Sequence, residues 1–573
     1  MEGHSVAVPA RRPAFWLSTL LDAGVGSHRR ACALLVAVTL LAFLPGFFQI
    51  PPVDRDEARF AQATKQMVES GDYIDIRFQD EVRYKKPIGI YWLQAAAVKA
   101  GRALGVNNAD RTIWLYRLPS LAGAISGVLL TYWAALAFVG RRPAMLAALM
   151  MAASLVLGVE ARLAKTDAVL LACSVAAMGA MARIYLASRR APDTAAGWRL
   201  PAILWTALAA GVLVKGPLIL MFVGLTAVTL SILDRSARWI LRLRPFTGVI
   251  WMLLLVLPWF AAITLRSGGS FFEQALGHDM LEKVASSQEA HGAPPGYYLL
   301  LFWVTFWPGS VLAGLAAPAV WRARREPSTK FLLAWLIPSW LVFEAVITKL
   351  PHYVLPLYPA IAILIAGVIE RDALVKARWL TRGTAGWFAL PGVVAVAIPV
   401  VFIAVSRDPG IIAWPFAAVA VIFGLFAWWL YESEGAEPAL LRGVVASIFV
   451  AITVYGVTFP LLPALFPSRL VADELKTSAC AAPQVASTAS FQEPSLVFLA
   501  GTDTRFTDGA GAAEFLNHGA CRFALIDARS ERSFITRADA IGLRYGRSAR
   551  IEGFNISIGR PVALSMFRSE QSP

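Results

Sequence analysis

The sequence predicts an α-helical polytopic membrane protein carrying a small α/β domain at its C-terminal end. Three observations lead there. The 573 residues are 57% hydrophobic and only 16% charged, too apolar for an ordinary soluble chain. Apolar stretches long enough to cross about 30 Å of hydrocarbon recur along the sequence. Hydrophobicity then falls near Pro463, and 464–573 has the pattern of a soluble domain.

Residues 1–30 form a basic N-terminal segment with Arg11, Arg12, Arg29 and Arg30. Apolar segments follow at 31–50, 112–138, 143–159, 167–187, 201–214, 217–233, 246–265, 298–320, 331–348, 353–369, 385–406, 411–431 and 441–463, about thirteen spans in all. No small-residue cleavage site follows the first, which reads as an anchor and not a signal peptide. The pair around Lys215-Gly216-Pro217 reads either as two spans or as one kinked helix. Two spans preserve an unbroken alternation of basic loops, such as Arg141-Arg142, Arg235 to Arg244, and Arg371 to Arg382. The positive-inside rule then places those loops and the N-terminus in the cytoplasm, and the tail outside. The net charge of +15 therefore reflects topology, and no nucleic-acid partner is read from it.

The outer face collects 51–111, 160–166, Lys215, 266–297, 349–352 and the tail. In the tail, SLVFLA (495–500) and RFALIDA (522–528) read as short strands, RSARIEGF and PVALSMF as a closing hairpin, and 510–518 and 536–544 as helices. Cys480 and Cys521 are its only cysteines. They form either a bridge suited to an oxidising space or two free thiols. Cys32 and Cys173 fall in spans and read as packing residues.

The densest chemistry lies in 54–87, between two spans: Asp54, Asp56, Glu57, Arg59, Tyr84, Lys85 and Lys86. Asp56 opens a predicted helix, where an acid can deprotonate a hydroxyl or hold a metal. The plainer reading is a capping loop, with Asp54 or Asp56 as N-cap and the lysines snorkelling. Asp167, beside Arg162 and Lys165, is a second acid at the outer end of a span; the plainer reading there is an ion-paired helix cap. On the loop 266–297, His278 and His291 with Asp279, Lys283 and Glu289 are candidates for hydrogen bonds to sugar or phosphate, for a metal site, or for loop structure alone. No close-spaced ligand pair such as HxxxH occurs there.

Asp56-Glu57-Ala58-Arg59-Phe60-Ala61, Ser70-Gly71-Asp72-Tyr73, Lys86-Pro87, Tyr91-Trp92-Leu93, Lys215-Gly216-Pro217, Pro258-Trp259-Phe260 and Thr348-Lys349-Leu350-Pro351-His352-Tyr353 occur in that order. In this the chain resembles the C-type glycosyltransferases that use polyprenyl-phosphate sugars, especially the bacterial lipid A aminoarabinose transferases and, more distantly, protein O-mannosyltransferases. The resemblance implies a C-type architecture in a bacterial inner membrane, with 31–463 as the transferase domain and 464–573 as a periplasmic domain. It implies a polyprenyl-phosphate-linked sugar as donor and a lipid or glycolipid as acceptor, lipid A or lipopolysaccharide core ahead of protein. Carried over, Asp56 and Asp167 are the catalytic acids and Lys86 and Tyr353 face the donor phosphate; Lys85 beside Lys86 and Lys349 at the outer end of a span join them as phosphate-binding candidates by position. Glu57, Arg59, Tyr84, Arg162, His278 and His291 complete the substrate-binding candidates. One position departs from the family: Lys85 stands where a carboxylate joins a metal in aminoarabinose enzymes. A protonated lysine cannot ligate a hard cation, so a divalent metal there is doubtful and none is assigned.

These expectations amount to inverting sugar transfer at the outer face. The alternative is a transporter or flippase of lipid-linked sugars. Against it, no repeated halves are visible and no acids are spaced through mid-span as an ion pathway needs.

Overall fold

A computed structural model describes residues 16–190, 197–275, 292–406, 410–478, 480–488 and 490–570. Each apolar stretch expected to span falls on helix, from His28–Phe43 to Ala436–Ala451. Among the described residues, six helices are long and apolar enough on their own to cross a bilayer, including Ile113–Ala135, Asp167–Arg190 and Pro245–Ser267. Other segments are shorter or broken for reasons the sequence states. Arg199–Lys215 ends at Gly216, whose φ of 75° no ordinary side chain adopts easily, and Pro217 precedes Leu218–Leu233. The two are therefore separate helices and not one kinked rod.

Asp167–Arg190 runs through the middle of the bundle, packed on Ile113–Ala135 and Arg199–Lys215. Glycines set the close approach: a Cβ on Gly123 would lie 2.7 Å from the backbone nitrogen of Val169. At the end bearing basic loops, Asp234 ties three helices. Lys330 donates to it at 2.7 Å, the Tyr185 hydroxyl at 2.8 Å, and Arg189 pairs with it as well.

At the opposite end the first loop folds as a ledge. Asp56–Ser70 is helical and closes on Gly71 in the left-handed conformation. A short ribbon pairs Arg77–Phe78 with Glu81–Val82, and the helix Gly89–Ala103 follows. Beneath the ledge lies a buried ion pair. Arg117 donates Nε to Glu57 Oε1 at 2.8 Å and Nη2 to Oε2 at 2.9 Å, with both side chains 1% exposed. Arg117 also donates to the carbonyls of Phe47, Ile50 and Pro51, while Glu57 accepts from the amides of Val53 and Ala164. One residue pair thus joins the end of the first span, the ledge, the Ile113–Ala135 helix and the loop before Asp167.

The tail is a five-stranded mixed sheet with the order Arg505–Thr507, Gln484–Thr488, Arg522–Asp527, Arg560–Ser569, Tyr545–Asn555. The first three strands are parallel to one another and the last two antiparallel. The expected hairpin, the 522–527 strand and the Gly509–Asn517 helix are present, and the second helix begins earlier, at Glu531. The reading of 495–500 as a strand is corrected: Pro494–Ala500 is a helix. Its apolar run is buried on all sides, so periodicity carries no signal, and the proline at its first position favours a helix start. Cys480 and Cys521 are bonded.

That helix seats the tail on the ledge. The Ser495 amide donates to Asp54 Oδ1 at 2.9 Å, and Lys65 reaches the Phe498 carbonyl at 3.3 Å. Gln62 donates to the Thr502 hydroxyl at 2.9 Å, and Thr502 donates to Glu69 at 2.8 Å. Asp54 therefore caps the tail's helix, whereas the residue capping Asp56–Ser70 is Arg55, at φ 67° and with no side-chain cap bond.

Candidate active site

Helix ends bring the charged side chains together. Asp167 is the first residue of its helix and Lys215 the last of its own, so each sits where the helix dipole favours its charge. Glu160 ends the short helix Leu155–Glu160, and Lys165 and His352 lie on the adjoining turns. All five are buried or nearly so.

Glu160 Oε1 meets Lys165 Nζ and His352 Nδ1, each at 3.3 Å. The other face of that imidazole places Nε2 3.7 Å from Asp167 Oδ1, and Lys215 pairs with the same oxygen. Glu160 Oε2 has no partner among the described residues. Burial drives the His352 pKa down to about 3, helped by Lys165 and Lys215 and opposed by Asp167, so the imidazole is neutral. Asp56 faces this group from the first turn of the ledge helix. Burial raises its pKa, but the charges of Lys165 and Arg83 outweigh that and hold it below the usual carboxylate range. Asp56 is therefore a half-buried anion beside a nearly charge-balanced cluster.

The expected site residues divide. Asp56 and Asp167 come into electrostatic contact. Tyr353 joins them, with Lys215 Nζ 5.4 Å from its ring centre and the His352 ring 5.1 Å away. Arg59 is half-buried one turn along the helix from Asp56. Lys85 is exposed on the ledge, and Lys86 Nζ donates to the Lys85 carbonyl at 3.0 Å.

Four others are placed elsewhere. Glu57 is enclosed by Arg117 and two amides, with no face left for a substrate. The Tyr84 hydroxyl donates to Asp75 at 2.7 Å and its ring packs on Phe271. Arg162 turns away from Asp167 to the carbonyls of Pro45, Gly158 and Ala42 and lies over the Tyr455 ring. Lys349 caps the Pro327–Ala345 helix through the carbonyls of Glu344 and Val346. His278 and His291 lie outside the described residues.

Glu160, Lys165, Lys215 and His352 were not among the expected site residues. Their signal was present: two acids and a lysine fill the short EARLAKTD stretch, and Lys215 and His352 stand inside the ordered motifs. Charged groups at apolar span ends are rare enough to be nominated on that ground.

Glu160, Asp167 and His352 offer an oxygen, oxygen, nitrogen set whose ligand atoms lie within 4.8 Å of one another. The donor types suit a divalent cation. The charges do not: Lys165 and Lys215 already compensate both carboxylates, and a divalent ion would sit against two ammonium groups. The set therefore does not fit a resident metal, and no step is derived through one.

The family model for dolichyl-phosphate-mannose-protein mannosyltransferase matches residues 33–267, which hold the ledge, Glu160 to Asp167 and Lys215. The undecaprenyl phosphate-alpha-4-amino-4-deoxy-L-arabinose arabinosyl transferase of Edwardsiella ictaluri is 28% identical over 354 residues, 59% of each chain. That of Pseudomonas aeruginosa PAO1 is 26% identical over 460 residues, 78% of this chain and 77% of the relative. Over these stretches the chain is similar to glycosyltransferases that carry this mannosyltransferase family's pattern. Its match spans little more than half the length of some curated relatives, 59% and 54% in two cases. The fold agrees with the crystal structure of ArnT from Cupriavidus metallidurans bound to undecaprenyl phosphate. The TM-score is 0.74 at 20% identity, over 93% of this chain and 97% of that one. The molecule is thus a multi-pass membrane protein with an ArnT-like fold and a C-terminal mixed sheet.

Proposed function

We propose that this protein transfers a sugar from a polyprenyl-phosphate donor to an acceptor hydroxyl at the outer face of a bacterial inner membrane. The observation carrying the reading is Asp56, half-buried at the start of the ledge helix and within electrostatic reach of Lys165, Arg83, His352 and Asp167, the last paired with Lys215.

Asp56 accepts the proton of the acceptor hydroxyl as its oxygen bonds to the anomeric carbon. The bond from that carbon to the phosphate oxygen breaks, and its electron pair leaves with the polyprenyl phosphate. Attack opposite the leaving group inverts the anomeric centre. Lys86, with Lys85 and Tyr353, binds the departing phosphate. The charge of the lysines stabilises the phosphate as it leaves, the electrostatic part of the catalysis. Asp167 holds the Lys215 ammonium beside Tyr353. The names of the relatives favour an undecaprenyl-phosphate-linked sugar as donor. Lipid A or lipopolysaccharide core is the acceptor class that follows from that kinship. The extra positive charge at Lys85 suits an acidic or neutral sugar as well as an aminosugar.

The test is mass spectrometry of lipopolysaccharide and polyprenyl-phosphate lipids from a deletion strain complemented with wild type or Asp56→Asn. Loss of a sugar from the acceptor, accumulation of its lipid-linked form and rescue by wild type alone are expected. Full rescue by Asp56→Asn would remove Asp56 from the chemistry and favour transport of the lipid-linked sugar.

A further inference from the structure

The C-terminal domain touches the ledge at the two residues that precede Asp56. Asp54 Oδ1 accepts from the Ser495 amide at 2.9 Å, in the first turn of the Pro494–Ala500 helix. The Arg55 guanidinium donates to the Ser557 carbonyl, in the turn between the last two strands. That turn is itself pinned: Asn555 Oδ1 accepts from the Ser557 amide at 2.9 Å and from the Ile558 amide at 3.3 Å, while Asn555 Nδ2 donates to Glu493. Between these anchors the backbone of Arg55 sits at φ 67°, ψ −118°. A side-chain-bearing residue holds such a conformation only where its surroundings impose it, and such places cluster at functional sites. The next residue is Asp56.

We infer that the C-terminal domain is a positioning element for catalysis: through Asp54 and Arg55 it sets the turn from which Asp56 reaches the Glu160–Asp167–His352 cluster. The inference rests on the reading of Asp56 as the base. Contacts farther along the same helix act together with these two. Lys65 and Gln62 bind the tail from the ledge helix, and Gln79 donates to the carbonyls of Thr502 and Thr504. The ledge is thus gripped along its length, from Asp54 to Gln79. Asp54 and Arg55 touch the tail, and in this inference they act through Asp56.

The experiment uses the full-length protein in lipid nanodiscs with Asp54→Ala, Asp54→Asn, Arg55→Ala, Arg55→Gly and Asp56→Asn. Hydrogen exchange of the amides in 53–60 is read beside sugar transfer, with donor from a native lipid extract. Binding of undecaprenyl phosphate serves as a check of fold. Asp54→Ala and Arg55→Ala should raise exchange in 53–60 and lower turnover by about tenfold or more, since small misplacements of a reacting group are costly. The donor KM should move little. Asp54→Asn keeps an acceptor for Ser495 and should stay near wild type. Arg55→Gly loses the guanidinium but adopts the backbone conformation freely, so it should retain more turnover than Arg55→Ala.

Unchanged exchange and turnover in Asp54→Ala and Arg55→Ala, with Asp56→Asn inert, would overturn the positioning role alone. Equal losses in Arg55→Ala and Arg55→Gly with a raised donor KM would overturn it too, by making Arg55 a substrate contact. An active Asp56→Asn would instead defeat the assignment of the base, whatever the exchange data show. Should Asp54→Ala fail to fold, the two Arg55 variants decide the matter.

Discussion

Replacing Glu57 by alanine should unfold the ledge and not merely weaken a substrate contact. Its carboxylate holds the Arg117 guanidinium through two bonds and accepts two backbone amides, all out of water. Leaving the guanidinium buried without its partner costs about 3–5 kcal/mol. Each orphaned amide adds about 1–3 kcal/mol, less whatever water enters the hole. These costs overlap, and a total loss of about 4 kcal/mol is expected, near a thousandfold in the folding equilibrium. Glu57→Gln should fall between, because an amide oxygen still accepts one bond while its NH2 group opposes the donors around it. The double variant Glu57→Gln/Arg117→Met removes the stranded charge but strands the carbonyls of Phe47, Ile50 and Pro51, so it should recover only part of the loss. Equilibrium denaturation with SDS in mixed micelles measures this, followed by tryptophan fluorescence. A Glu57→Ala protein of unchanged stability that no longer binds undecaprenyl phosphate would refute the reasoning and return Glu57 to the substrate.

Three further outcomes are expected. Exhaustive chelation of divalent cations should leave transfer within about twofold of its starting rate, because the ammonium groups of Lys165 and Lys215 already supply the positive charge; a loss restored by added metal would contradict this. Cys480→Ser/Cys521→Ser should lower the stability of the tail by about 4 kcal/mol on the chain-entropy estimate, seen as faster limited proteolysis after residue 464. The junction between tail and ledge should loosen as pH rises. Burial, then the charge of Glu493, pushes Asp54 up to about 7. A carboxyl raised on folding stabilises the fold below its unfolded value of about 4, and that contribution is lost as pH climbs through 7. Hydrogen exchange at the Ser495 amide, compared at pH 5 and pH 8 after correction for intrinsic rates, checks the direction.

The helical framework was legible because bilayer-length apolar runs have few alternatives, and the Gly216-Pro217 break could be read from two residues. The strand read at 495–500 failed for a physical reason: a short run buried on every face has neither period. The strands 484–488 and 505–507 went unrecognised because QVAST and RFT are too short and mixed to stand out. Of the residues the structure draws together, Asp56 and Tyr353 stand in the ordered motifs and Asp167 at the outer end of an apolar span. Their companions Glu160, Lys165 and His352 could not be assembled from composition, since Glu160 and His352 are far apart in sequence and meet only when the helices close. Glu57 and Arg162 misled for the complementary reason. A charge beside a bilayer draws attention, yet both carry backbone and ion-pair partners that local sequence does not display.

The knot at Asp234 fastens one end of the helix bundle. Parting the three helices it fastens would require pulling Arg189, Lys330 and Tyr185 off one carboxylate that is only 3% exposed. Arg189 and Lys330 are partly open to water, which screens these pairs, so the knot holds by three shared contacts more than by any single one. The opposite rim is fastened by charge as well, through the Arg117–Glu57 pair and the Asp167–Lys215 pair, both more deeply enclosed than the Asp234 knot. The bundle is therefore pinned at both ends, and the long apolar stretches between the two sets of ion pairs hold together by packing.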